Sequence, residues 1–118
     1  FSPPPNSRPL YLRLPNKQVV QINSWTRMLA LTCEYLIEQS PDITLPLKDR
    51  AGKKVSLISL EPIPDNLGSS TVMLNDRTFH IYTNYDANNS VLNAQYVLSL
   101  LPDHAKQVDA AVIVQERE

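Results

Sequence analysis

The chain has 118 residues, of which 42% are hydrophobic and 19% charged, and its formal net charge is −1. This length suits a single domain with a buried core. No apolar run approaches the roughly 20 residues that span a bilayer, and a net charge near zero argues against a strongly basic nucleic-acid-binding protein.

Charge is distributed unevenly along the chain. Residues 1–54 contain eight Lys or Arg and four Asp or Glu, a balance of +4, whereas residues 55–118 contain three and eight, a balance of −5. A basic patch on one face would account for this asymmetry. A chance division of solvated surface charge would account for it as well.

The cysteine content and the missing leader features bear on the compartment. Cys33 is the single cysteine and has no partner for an internal disulfide, which fits a reducing environment. The chain also lacks the basic start and apolar core of a signal peptide. We therefore expect a cytoplasmic protein with no membrane partner.

Residues 1–9 (FSPPPNSRP) include four prolines and show no apolar periodicity. This composition favours extended, solvated backbone, so we expect a linker that follows another domain of the parent protein. A Pro-rich ligand for an aromatic groove is the alternative. Residues 10–118 are expected to form the single folded domain.

The folded region opens with a predicted hairpin and a helix. Two short runs at 10–14 and 18–22, joined by a Pro-Asn turn, predict two strands. Ser24 is a candidate N-cap for a helix over residues 25–39, whose apolar residues recur at spacings of three and four. Pro41 ends that helix, because the residue before a proline is driven out of helical geometry.

Weaker signals follow in the middle of the chain. Short strands are expected at 43–47 and 55–60, on either side of a turn at Gly52. Residues 61–70 are expected to form a loop. Residues 71–74 and 78–84 then predict a second hairpin.

The last third predicts a helix and a strand. The helix covers about 89–101, and its buried side is expected to carry Ala94, Val97, Leu98 and Leu101. Residues 109–115 form a compact apolar run, which predicts a strand buried against both helices. The element order predicts an α+β fold: an antiparallel or mixed sheet of about five to seven short strands with two helices packed on one face.

Motifs for catalysis and for metal binding are sparse. The chain has two glycines, and neither belongs to a phosphate-binding loop. One cysteine and two histidines show no paired spacing, so we expect no metal and no cofactor. Cys33, His80 and Asn84 could form a nucleophilic arrangement if Cys33 were an exposed thiolate. Its place on the apolar stripe of the first helix favours core packing instead.

One candidate binding segment is the basic turn KDRAGKK at residues 48–54. Its four cations could contact the phosphates of DNA, or could form an ordinary charged hairpin tip. These candidate residues are Lys48, Arg50, Lys53 and Lys54.

The second candidate segment is the polar loop before the second helix. Side-chain oxygens alternate there as at the start of a calcium loop, on Asn84, Asp86, Asn88 and Ser90. Calcium is not expected, because Asn89 stands at the turn-glycine position and Gln95 at the final acidic position. Capping of the helix by Asp86, Asn88 or Asn89 is favoured. Contact of a partner or an anion with Asn84, Asp86, Asn88 and Asn89 is the alternative.

Two blocks resemble a known family. SWTRMLALTCEYLIEQSPD (24–42) and IYTNYDANNSV (81–91) are similar to two blocks of small, largely uncharacterised modules attached to prokaryotic restriction-type and other mobile defence proteins. Tyr85 and Asp86 stand where that pattern has Leu-Ser, and the central segment matches poorly. The resemblance implies an accessory module, with catalysis elsewhere in the parent chain.

The first hypothesis is therefore a non-enzymatic module that contacts another domain, a partner protein or a second copy of itself. A DNA-contacting module that uses the basic turn is the alternative. An enzyme built on Cys33 and His80 is the third.

Overall fold

Seven strands and two α-helices make up the part of the chain that a computed structural model describes, residues 3–4, 7–50, 55–64 and 68–116. The strands are β1 (Ser7–Arg13), β2 (Val19–Gln21), β3 (Leu47–Lys48), β4 (Ser56–Ser59), β5 (Ser69–Leu74), β6 (Arg77–Tyr82) and β7 (Ala111–Glu116). The helices are α1 (Trp25–Gln39) and α2 (Ala87–Ser99), and a short 3₁₀ helix spans Asp103–Ala105. The expected α+β class is confirmed.

The described strands form two antiparallel sheets. The first has the order β2-β1-β7, and the second has the order β3-β4-β6-β5. In the first sheet, β1 therefore pairs with its sequence neighbour β2 on one side and with the distant β7 on the other. From the sequence, either an antiparallel or a mixed sheet was expected. All the described strand pairs are antiparallel.

Helix α1 contacts both sheets and the other helix. It packs on α2, on β1 of the first sheet and on β5 of the second. Eight of its fifteen residues are buried: Met28, Leu29, Ala30, Thr32, Cys33, Tyr35, Leu36 and Ile37. Such a wide buried surface leaves only a narrow stripe for solvent, which includes Arg27 and Glu38. Most of the core is therefore arranged around α1.

Local signals determine both ends of α1. The Arg27 backbone N–H donates to Ser24 Oγ at 3.0 Å, which satisfies one of the amides left free at a helix start. Ser40 is the C-cap and directly precedes Pro41. The predicted bounds of this helix are confirmed.

The hairpin between β5 and β6 turns through two left-handed residues. Asn75 has φ 53° and Asp76 has φ 63°. Positive φ at both central positions is the geometry of the tight turn that matches the twist of paired strands, and Asn and Asp tolerate it better than other residues with a Cβ. The hairpin predicted about these residues is confirmed.

The first strand begins inside the stretch expected to be a linker. Residues 7–9 belong to β1, and Pro9 is buried opposite Val114 of β7. Proline is tolerated there because β2 pairs only with residues 11–13, so no strand on the β2 side needs a Pro9 N–H. The linker prediction is therefore wrong for residues 7–9, and only residues 3–4 of the rest are described.

Two strand predictions also need correction. The strand expected at 43–47 is reduced to Leu47 and Lys48, because Pro46 in that stretch has no N–H for a ladder. The strand expected at 109–115 begins at Ala111 and lies at the edge of its sheet, with Ile113 59% exposed. The apolar run indicated burial on both faces, whereas in the structure Val112 and Val114 are only partly buried, and Ile113 and Gln115 are exposed. The turn expected at Gly52 lies outside the described residues.

Neither helix in the described ranges has the length and the apolar character that crossing a membrane requires.

A test of the central role of α1 is the substitution Leu29→Ala. Leu29 is fully buried, so the change should lower the free energy of unfolding by about 2–5 kcal/mol, through lost burial and an unfilled cavity. Urea denaturation followed by circular dichroism measures it. Leu92→Ala, at a position 43% exposed on α2, is the matched control and should cost less than about 1 kcal/mol. Equal losses in the two variants would contradict this account of the core.

Candidate functional site

The polar loop before α2 ends in a helix cap. Asp86 is the N-cap, and its Oδ1 accepts a hydrogen bond from the Asn89 backbone N–H at 2.8 Å. Helix α2 therefore begins at Ala87, two residues before the predicted start. Of the three capping candidates, Asp86 takes the role. Asn84 and Asn88 are exposed beside it, and Asn89 is partly exposed.

A buried amide connects α2 to the basic turn. Asn93 is fully buried, and its Nδ2 donates to the Asn89 backbone carbonyl at 3.1 Å. Its Oδ1 accepts from the Arg50 backbone N–H at 2.8 Å. Both ends of the amide are thus bonded, which a buried polar group requires. The bond places Arg50 against α2.

A second contact joins the same two segments. The Tyr85 hydroxyl donates to Asp49 Oδ2 at 2.6 Å. Burial, and then this hydrogen bond to a carboxylate, raise the pKa of Tyr85 above its usual value. The Tyr82 ring meets Tyr85 edge to face, with 5.1 Å between ring centroids. The described start of the basic turn, residues 48–50, and the polar loop are therefore neighbours in the fold, although they are distant in sequence.

The outer side of α2 is exposed and uncharged. The thirteen residues of the helix, ANNSVLNAQYVLS, include no Asp, Glu, Lys or Arg. A shallow depression of about 530 Å³ lies on this side and is lined by Arg50, Leu92, Gln95, Tyr96 and Ser99. We call these five residues the α2 face. Leu92 is 43% exposed, although it is a large apolar side chain.

One cation belongs to the α2 face and others lie near it. Arg50 is exposed and forms one side of the depression. Lys106 Nζ donates to the Ser99 backbone carbonyl at 3.5 Å, at the end of α2. Lys48 is exposed on β3. Among the site residues predicted from the sequence, Lys53 and Lys54 lie outside the described residues.

The nucleophilic arrangement lacks its required thiolate. Cys33 is fully buried, and burial raises the pKa of its thiol far above the ordinary range. The interpretation of Cys33 as a core residue is confirmed. His80 lies on β6, where it pairs with Thr71 and Ser59. Within the described ranges, no three His, Cys, Asp or Glu side chains are grouped as metal ligands would be.

The residues predicted from the sequence include Arg50 of the α2 face but none of the four α2 residues that line it. The pattern that predicts this helix does not single out Leu92, Tyr96 or Asn93. The available signal was the absence of charge across residues 87–99. A surface helix normally carries charged residues on its solvent side.

The sequence matches no family model, and comparisons with characterised proteins and with solved structures found no match either.

The capping role of Asp86 can be tested by Asp86→Ala. Loss of the bond to the Asn89 N–H should lower the free energy of unfolding by about 0.5–2 kcal/mol. The exposed Asn88, two residues along, supplies the control Asn88→Ala, which should change it by less than about 0.5 kcal/mol. Thermal and urea denaturation measure both. If Asn88→Ala proved the more damaging, Asp86 would not be the principal cap.

The Tyr85–Asp49 bond predicts a pH-dependent stability difference. Tyr85→Phe removes the donor and should lower the free energy of unfolding by about 1–2 kcal/mol near pH 7. The folded-state pKa of Tyr85 is raised, so this contribution is complete below the ordinary tyrosine pKa of about 10 and is lost as pH rises through the folded value. The difference in free energy of unfolding between wild type and Tyr85→Phe, called the stability gap, should thus stay constant up to about pH 9. It should narrow above about pH 10.

Urea denaturation at several pH values measures this gap. Tyr11→Phe, at a residue 40% exposed on the first sheet, is the matched control and should change the free energy of unfolding by less than about 0.5 kcal/mol near pH 7. A gap for Tyr85→Phe that persists unchanged into strong alkali would contradict the assignment.

Proposed function

We propose that this domain is a non-enzymatic interaction module that binds a partner protein through the α2 face. The observation that carries the proposal is the complete absence of charge along a helix whose outer side is exposed. Centres of protein interfaces are depleted in charged residues and enriched in aromatic ones, because charges are costly to desolvate. Leu92 and Tyr96 supply the apolar and aromatic groups at the centre of this face.

The cations around the face indicate the chemistry of the partner. Arg50 and Lys106 flank the depression, and charges at the rim of an interface steer partners of opposite sign. The partner surface should therefore present an apolar side chain to Leu92 and Tyr96, with carboxylates around it. Such a surface belongs either to another domain of the parent protein or to a separate protein.

The wider setting follows from the sequence resemblance alone. We propose a larger cytoplasmic, prokaryotic protein of the restriction or defence type as the parent. The two blocks at residues 24–42 and 81–91 support that proposal.

Site-specific crosslinking in the full-length parent protein tests the α2 face. A photoreactive amino acid at position 92 should crosslink to one defined surface bearing carboxylates. The same amino acid at Met73, which is 78% exposed on β5, is the matched control and should give no such product. With the partner purified, Tyr96→Ala should weaken binding about tenfold or more. Equal crosslinking from both positions, or unchanged affinity for Tyr96→Ala, would refute the proposal.

DNA binding is the second candidate function, and the exposed Lys48 and Arg50 favour it. Phosphate contacts release counterions, so DNA affinity should fall steeply with salt. A mobility-shift titration at several salt concentrations, with duplex and with single-stranded DNA, separates the two functions. We expect no salt-dependent complex. A complex that Arg50→Ala weakens, and that Leu92→Ala leaves intact, would replace the protein-binding proposal.

A further inference from the structure

Strand β7 has one open edge. It pairs with β1 on one side, and within the described part of the chain no strand pairs with its other side. An edge strand presents unpaired N–H and C=O groups to its surroundings. Proteins usually protect such an edge with Lys, with Pro or with a bulge. Residues 110–115 (AAVIVQ) contain neither Lys nor Pro. The only irregularity in the pairing places its extra residue in β1, between Pro9 and Tyr11.

A small apolar groove lies between β7 and the helices. Its volume is about 110 Å³. Ala110, Ala111 and Val112 line it together with residues of β1, α1 and α2 that include Leu12, Met28 and Leu98. A buried apolar cavity of roughly 150 Å³ can hold a benzene molecule, so this groove has room for one aliphatic side chain. Because Val112 of β7 and residues of both helices line it, we expect an inward side chain of a strand added to β7 to reach this groove.

The geometry of a sheet connects the open edge to the groove. A strand added to β7 would lie about 4.8 Å from it, with alternate side chains on opposite faces. Side chains on the inner face, beside Val112, would meet the groove. Side chains on the outer face would lie beside Ile113, which is 59% exposed and sits directly opposite Tyr11 of β1.

Positive charge on the outer face of the first sheet favours an added strand that carries a negative charge on that face. Arg13 Nη2 donates to the Asp109 backbone carbonyl at 3.0 Å, so its guanidinium lies over the start of β7. Arg8 is also exposed on β1, opposite Gln115. Among the described residues, the outward-facing positions of β1, β2 and β7 include no Asp or Glu, and the exposed Asp109 just before β7 adds one carboxylate beside the two arginines. An incoming strand with an acidic outward side chain near Ala111 would therefore meet a cation.

We propose that β7 is the acceptor for an extended peptide segment of a partner protein, which adds to the first sheet as a fourth strand. The segment carries aliphatic side chains on its inner face, one of which fills the groove, and a carboxylate on its outer face beside Arg13. Main-chain hydrogen bonds to a sheet edge give affinity in this mode, and the pockets for alternate side chains give specificity. This site goes beyond the proposed function, because it uses β7 and not the α2 face. Gln95 borders both.

Designed peptides test the proposal on the whole chain. The probe is a nine-residue peptide, blocked at both ends, in which leucine and threonine alternate and one outward threonine is replaced by glutamate. A second peptide has lysine in place of the glutamate. Titration followed by amide NMR should give saturable shifts centred on residues 110–115, and the glutamate peptide should bind more tightly.

Charge reversal sharpens the test. Arg13→Glu should weaken binding of the glutamate peptide about tenfold and restore binding of the lysine peptide. Arg27→Glu is the control, because it makes the same change of charge at an exposed residue on α1 and not on the sheet of β7. It should leave the affinities of both peptides unchanged. Circular dichroism should show that the Arg13→Glu and Arg27→Glu variants remain folded.

Three results would overturn the proposal. The first is that neither peptide binds at millimolar concentration. The second is that Arg13→Glu leaves the affinities of both peptides unchanged. The third is that the chain dimerises through β7 and thereby excludes the peptides. Leu92→Ala and Tyr96→Ala should leave peptide affinity unchanged, because they alter only the α2 face. The strand site and the α2 face can therefore fail independently.

Discussion

Burial of helix α1 on most of its circumference is the constraint on which the remaining structure depends. The helix is in contact with a strand of each sheet and with α2, so both sheets use it as a common packing surface. Leu29, Leu36 and Ile37 are fully buried, and a helix with so wide an apolar surface must be covered from several directions. The two sheets and α2 supply that cover, and α2 is left with one side facing outward.

Two polar contacts adjust the position of α2 and its surroundings. Asn93 bonds the Arg50 backbone from inside the fold, and Tyr85 bonds Asp49 at the start of the helix. Each bond joins residues that are far apart in the sequence. The two bonds hold the base of the basic turn beside an uncharged helix, so the position of Arg50 at the α2 face rests on partly buried contacts.

Local chemistry explains what could be predicted from the sequence. Ser24 and Pro41 mark the ends of α1, and Asn75 with Asp76 marks a hairpin, because each effect acts within a few residues of its own position. The α2 face could not be predicted in the same way, since Asn93 and Arg50 are 43 residues apart. The exposure of β7 escaped prediction for a related reason. An apolar run such as AVIV is compatible with a central strand and with an edge strand, and only the arrangement of the other strands decides between them.

The pairing of β1 with β7 has a consequence for synthesis of the chain. Ser7 lies opposite Glu116 and Arg13 opposite Ala111, so β7 leaves the ribosome about 100 residues after its partner. Closing so long a loop is slow compared with forming hairpins and helices. Strand β1 consequently keeps a free edge while α1, the second sheet and α2 are made. Completion of the first sheet is itself a late strand addition, carried out by the same β7 whose other edge pairs with no strand among the described residues.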